Sequence, residues 1–211
     1  MKIKWFGHAS FLIKSKGKNI YLDPFKLPET QEKADLILIS HDHFDHCDLE
    51  SVEKIQKDET LILTTEKAVK KLGKGKPVKE WEKITLDNGM VIETVPAYNT
   101  NKPFHPKGSG LGFIINLEGK RIYFAGDTDF IPEMMKLGNI DIAMLPIGGT
   151  YTMDIEEAVE ATLSIKPKIV IPMHYNSLDG LEVDVDVFKN KVEKESLTIK
   201  IETLEKKELE Y

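Results

Sequence analysis

The chain has a single cysteine, Cys47, so no internal disulfide can form and a reducing, cytoplasmic setting is the expectation. It has one arginine, Arg121, and two glutamines, Gln31 and Gln56, while Lys and Glu dominate the charged surface. That balance resembles hyperthermophile composition. No stretch approaches the ~20 consecutive apolar residues of a membrane span, which argues against a role in the bilayer. The opening MKIKWFGHASFLIKSKGKNI enters an apolar/polar alternation at once, so no leader peptide is expected. A net charge of −6 and the lack of a basic track argue against a nucleic-acid binder. No Pro/Gly/Ser-rich linker, low-complexity tract or evident repeat divides the sequence. At 211 residues it is expected to form one domain over 1–211. Nothing in it decides the oligomeric state, and a homo-oligomer stays open.

What is present is a set of short apolar runs. With 41% hydrophobic residues the chain can build a real core. Buried strands are expected at Ile20–Leu22, Leu36–Ile39, Thr60–Leu63, Val91–Val95, Phe113–Leu117, Ile122–Phe124, Ile142–Leu145 and Ile169–Ile171. Ile3–Trp5 and Ser10–Ile13 read as strands with one wetter face. The clearest helix lies in MDIEEAVEATLSIKP. Ile155, Ala158, Val159, Thr162 and Leu163 share a stripe, Asp154 and Glu157 resemble a capping box, and Pro167 stops it. A second helix is expected from about Thr65 to Leu72 with Gly73 beyond its end, and others after Asp48, near Pro132 and near Asp184. The tail KIETLEKKELEY reads as a final edge strand.

The strands share a habit at their ends. DLILIS runs into His41, RIYFAG into Asp127, KIVIPM into His174, MVIETVPAY into Asn99 and NIYL into Asp23. Residues able to ligate metal or carry protons just past strand ends are what a site on one rim of a sheet requires. The densest case is HDHFDH, His41 to His46. A lone histidine after a strand is most simply a solvated loop residue, but three in six positions outweigh that reading. In an extended loop His41 and His43 point the same way and suit one ion, while Asp45 and His46, after a turn, suit a neighbouring one. Neutral imidazoles and carboxylates fit Zn²⁺ first, with Mn²⁺, Fe or Ni as alternatives.

His41-x-His43-x-Asp45-His46 resembles the HxHxDH signature of the metallo-β-lactamase superfamily. GHAS near the start, LDPF at Leu22–Phe25, FAGDTD around Asp127, LPIGGTYTM at Leu145–Met153 and IPMHYN around His174 follow in order and resemble its UlaG-like branch. The resemblance implies an α/β fold, a four-layer αββα sandwich of two mixed sheets flanked by helices, with a dinuclear site. It implies that His41 and His43 bind a first metal, that Asp45, His46 and His174 bind a second, and that Asp127 bridges them. Such a centre activates a hydroxide against a small substrate, with Asp45 or His174 moving protons.

One position departs from the pattern. Relatives carry a third histidine after the strand ending near Val95, where this chain reads VPAYN and places Asn99. An amide oxygen is a poorer partner for Zn²⁺ than imidazole. His105 is read as a substrate or loop contact ahead of a replacement ligand. His8 in FGHAS reads as a supporting or substrate-facing residue, Asp23 as a residue that orients a ligand histidine, and Tyr151 as a pocket residue. The segment Tyr98–Gly112 carries Lys102, His105 and Lys107 and no acid, which suggests an anionic small-molecule substrate such as a phosphate or carboxylate, while the resemblance implies a phosphoester, lactone or related ester. Gly148 and Gly149 could offer backbone N–H groups to an anion. Competing readings are a mononuclear iron dioxygenase-type redox enzyme, and a metal-binding module with little catalysis.

Overall fold

A computed structural model describes residues 1–87, 89–204 and 208–211. The backbone divides into two compact units, Met1–Lys79 with Leu204–Tyr211, and Glu80–Thr203. Each is built on one seven-stranded mixed sheet.

The first unit opens as an antiparallel meander, β1 (Lys2–Gly7), β2 (Ser10–Ser15) and β3 (Lys18–Leu22). β4 (Leu36–Leu38) and β5 (Leu61–Thr64) then run parallel to β3, and their nearly unbroken apolar runs are those of strands covered on both faces. Between β4 and β5 lies α1 (Leu49–Ile55). It starts at Asp48, whose carboxylate accepts the Glu50 N–H and satisfies a donor the helix cannot. After β5 comes α2 (Glu66–Leu72), which starts at Thr65 and ends on Gly73, left-handed at φ 69°. It leads to the short parallel strand β6 (Lys76–Pro77). Val52 and Ile55 of α1 and Ala68 and Leu72 of α2 pack with Leu12, Tyr21, Ile37 and Ile62 in one core. Each large side chain buried there contributes roughly 1.5–3 kcal/mol.

In the second unit four strands meander: β7 (Lys83–Thr85), β8 (Val91–Ala97), β9 (Gly110–Leu117) and β10 (Lys120–Phe124). β11 (Ile142–Pro146) follows in parallel. The helix α3 (Ile155–Ile165) leads to β12 (Ile169–Met173), and α4 (Val185–Glu195) leads to β13 (Lys200–Ile201), both parallel additions. Asp154 and Glu157 form the reciprocal capping box expected for α3, and Lys166 ends it at φ 53° before Pro167. The helix expected near Pro132 is instead a five-residue 3-10 turn, Pro132–Lys136. Gly138, at φ 72°, leaves no room for further turns.

The tail is not one edge strand. β13 edges the second sheet, and β14 (Glu208–Glu210) pairs antiparallel with β1 at the edge of the first. The middle of that expected strand, residues 205–207, lies outside the described residues. The two mixed sheets with their helices match the α/β class expected for the chain. Among the described residues no helix is long and apolar enough to cross a membrane.

Candidate metal centre

In the first unit the chain leaves β4 through Ile39 and Ser40 into His41, which is buried, while His43 is exposed. Their rings lie 4.5 Å apart. The chain turns at once, because the N–H groups of His46 and Cys47 both donate back to the His43 carbonyl, at 3.3 and 2.8 Å. That turn brings His46 within 4.3 Å of His41, ring to ring. It also brings Asp45 Oδ2 to 2.9 Å from His8 Nε2 and 3.7 Å from His46 Nε2. His8, Asp45 and His46 thus offer ligand atoms within 4.8 Å of one another. Cys47, beside them in sequence, packs into the core, where burial pushes its thiol up to about 11.

The histidines are aimed from behind by Asp23, which is fully buried one residue past β3. Its Oδ2 lies 2.6 Å from His46 Nδ1 and accepts the Ser40 hydroxyl at 2.5 Å, while Oδ1 accepts the Ser40 N–H at 2.7 Å. With its proton given to Asp23, the Ser40 oxygen accepts from His41 Nδ1 at 2.9 Å. One carboxylate therefore fixes Nδ1 of His46 directly and Nδ1 of His41 through Ser40, which leaves Nε2 of each as the ligand face. Burial pushes the Asp23 carboxyl above the usual range, opposed by His46 and by the Ser40 donors. The sequence reading had no role for Ser40. Its signal was its position between the apolar strand and the first histidine.

In the second unit Asp127 follows β10 after Gly126, and His174 follows β12 directly. Asp127 Oδ2 lies 3.1 Å from His174 Nε2 and 3.3 Å from His105 Nε2. His105 is 3% exposed and turned toward Asp127. Its Nδ1 lies 3.0 Å from Asn99 Oδ1, which also accepts the His105 N–H at 2.9 Å. The Asn99 amide is oriented in turn, its Nδ2 donating to Asp129 Oδ1 at 2.9 Å and to the Tyr151 carbonyl at 3.0 Å. The Tyr151 ring stands edge-on to Phe104, 4.8 Å away. His8, Asp23 and His174 all hold left-handed backbone, at φ 54°, 38° and 57°, a strained choice for such residues and one that clusters at working sites.

The positive segment and Gly149 have partners within their own unit. Lys102 is paired with Asp129 at 2.8 Å and Glu157 at 3.1 Å, and Lys107 with Glu133 at 3.0 Å. The positive segment is thus neutralised within its own unit. Burial alone would raise Asp129, but Lys102, the Thr100 N–H and the Asn99 amide hold it below the usual carboxylate range. Gly149 donates its N–H to the Met153 carbonyl at 2.9 Å, and Gly148 serves packing, since a Cβ there would drive into the His174 carbonyl oxygen.

All six histidines of the chain fall in these two clusters, four in the first unit and two in the second. Histidine nitrogens held at Nδ1 and accompanied by carboxylates are a donor set that fits a divalent transition ion. Known proteins similar in sequence and fold point the same way. A sequence model described as "Beta-lactamase superfamily domain" matches residues 2–174 and runs through both units. A protein of Thermoplasma acidophilum named UPF0173 metal-dependent hydrolase is 37% identical over 207 residues, covering 90% of this chain and 89% of its own. Igni18, described as a novel metallo hydrolase from the hyperthermophilic archaeon Ignicoccus hospitalis, superposes with a TM-score of 0.83 at 31% identity, over 100% of this chain and 98% of its own. A protein of Parabacteroides distasonis reaches a TM-score of 0.88 at 36% identity, over 95% of this chain and 91% of its own.

Proposed function

The chain belongs to the beta-lactamase superfamily as a metal-dependent hydrolase, and we propose that it cleaves a small ester-like substrate, a phosphoester or a lactone, within the UlaG-like branch. In this reading residues 1–211 work as one hydrolase domain, and His41, His43, Asp45, His46, Asp127 and His174 hold Zn²⁺, or Mn²⁺, Fe or Ni in its place. The observation that carries it is the set of Nδ1 contacts. His46 and His41 each have that nitrogen engaged, by Asp23 and by Ser40, so each keeps Nε2 as its ligand face.

A bound divalent ion supplies Lewis acidity toward the scissile group, an acidified water, and positive charge that favours an anionic substrate. The protein's part is positioning and proton handling. Asp23 and Ser40 hold the imidazoles in one tautomer. Asp45 Oδ2, 2.9 Å from His8 Nε2, takes the proton that the attacking water gives up, and His8 steadies the carboxyl that results. The lysine-rich, arginine-poor surface supports an origin in a hot environment, with a melting midpoint above the ~45–65 °C of ordinary mesophile domains.

The test is turnover of phosphoesters, lactones and open-chain neutral esters by protein loaded separately with Zn²⁺, Mn²⁺, Fe²⁺ and Ni²⁺. Metal-stimulated turnover of a phosphoester or lactone, faster than of the open-chain neutral esters, is the expected result. Inactivity across the loaded panel overturns the reading.

A further inference from the structure

The hydrogen bonds around Asn99 settle the tautomer of His105. Asn99 Nδ2 faces two groups that can only accept, the Asp129 carboxylate and the Tyr151 carbonyl, so its Oδ1 is the acceptor toward His105. His105 Nδ1, 3.0 Å from that oxygen, must then carry the proton. The lone pair of the neutral ring is left on Nε2, which points at Asp127 Oδ2 from 3.3 Å with both side chains 3% exposed. A carboxylate oxygen and an imidazole lone pair repel at that separation unless a proton or a metal ion lies between them, and two buried groups so aimed suit an ion.

We propose that His105 is a metal ligand through Nε2, sharing an ion with Asp127, and that Asn99 is the positioning residue that holds its ring for that purpose. This rests on the metal-dependent reading above. Asn99, which occupies the place where a third histidine is expected, thereby acts one step back from the metal. Asp129 extends the chain of support. It holds Asn99 Nδ2 with one oxygen and takes the Thr100 N–H at 2.8 Å with the other, so the segment carrying His105 is tied down at its start. The arrangement parallels Asp23 behind His46, with an amide in place of a carboxylate as the group on Nδ1. A neutral acceptor on Nδ1 makes Nε2 a weaker base than a carboxylate does, so His105 binds its ion less tightly than His46.

The direct measurement is ¹⁵N NMR of the imidazoles of the wild-type protein during Zn²⁺ titration. The expected result is a single Nδ1–H tautomer for His105 before Zn²⁺ and a displaced Nε2 resonance after it, alongside shifts at His46 and His174. If His46 and His174 respond and His105 does not, the proposal fails and the hydrolase reading stands. If no histidine responds to Zn²⁺, Mn²⁺, Fe²⁺ or Ni²⁺, as read by retention after chelator challenge, the hydrolase reading fails with it. His105→Ala is expected to lower Zn²⁺ affinity in chelator competition by at least tenfold. Asn99→Leu should lower it roughly 10–100-fold, as losses behind a ligand do, and turn His105 into a mixture of tautomers. An unchanged affinity and a single tautomer in folded Asn99→Leu protein would overturn the positioning role.

Discussion

Both units thread their sheets in the same order. Antiparallel β1, β2 and β3 are followed by parallel β4, β5 and β6, and antiparallel β8, β9 and β10 by parallel β11, β12 and β13. The correspondence reaches single residues. Asp35 stands just before β4 and Asp141 just before β11. Asp35 exchanges backbone and carboxylate bonds with Asn19 of β3, and Asp141 does the same with Arg121 of β10. Each also carries a lysine, Lys57 on Asp35 at 2.9 Å and Lys168 on Asp141 at 2.7 Å. The loops leaving β3 and β10 both bear an aspartate, and there the units part. Asp23 meets Nδ1 of a histidine and so stands behind the ring, whereas Asp127 faces the Nε2 atoms of His174 and His105. A shared topology brings a carboxylate to the same exit, one residue past β3 and three past β10, and the two meet opposite sides of an imidazole.

Substituting the two aspartates is the most severe way to break this comparison. Asp127→Ala should cut turnover by on the order of a thousandfold, about 4 kcal/mol, because it removes a group proposed to touch the ion. Asp23→Ala should leave a measurable enzyme that holds metal roughly 10–100-fold more weakly, since it only frees the rings that others present. Steady-state kinetics with chelator competition separates the two, and equal losses would erase the distinction. Ser40→Ala, which frees His41 but leaves Asp23 on His46, should fall below Asp23→Ala on the same scale.

A smaller effect is expected at Gly148. Gly148→Ala should cost roughly 1–3 kcal/mol by overpacking against the His174 carbonyl, read by denaturant unfolding, and should shift the His174 resonances. The smallest effect sharpens the likeness of the units. Although burial alone raises them, Asp35 is brought down to about 2 by the Asn19 N–H, Lys57 and Lys18, and Asp141 is brought below 3.8 by Lys168 and the Arg121 N–H. A carboxyl held lower in the folded state than in the unfolded one stabilises above the unfolded value and loses that contribution as pH falls. Stability should therefore decline from about pH 4 toward about pH 2, less steeply in Asp35→Asn and in Asp141→Asn. An unchanged slope in either variant would show that its carboxyl is not set by these partners.

The elements were legible because their causes are local. Continuous Ile/Leu/Val runs mark covered parallel strands, and Asp154, Glu157, Thr65 and Gly73 carry the capping chemistry of their helices in their own side chains. HDHFDH was legible because its residues are adjacent and the turn after His43 needs only local hydrogen bonds. The second cluster was harder to read. Asn99 meets Asp129 across 30 residues and Lys102 meets Glu157 across 55, and no periodicity in sequence reports on such pairs. Hence the lysines near His105 read as an unpaired positive patch when acids from distant loops had claimed them. The matching threads of the two units were hidden too, since DLILIS and DIAMLP share an aspartate and an apolar run but little else.

Asp23 has a consequence for how the first cluster can change. Its Oδ2 accepts from both Ser40 and His46, so His41 and His46 hang on a single oxygen. Their responses to substitution are coupled, and a double-mutant cycle between Ser40→Ala and His46→Ala should depart from additivity. Metal preference in this half of the molecule is thus inherited as a block, and drift at one histidine is felt at its neighbour before any ion arrives.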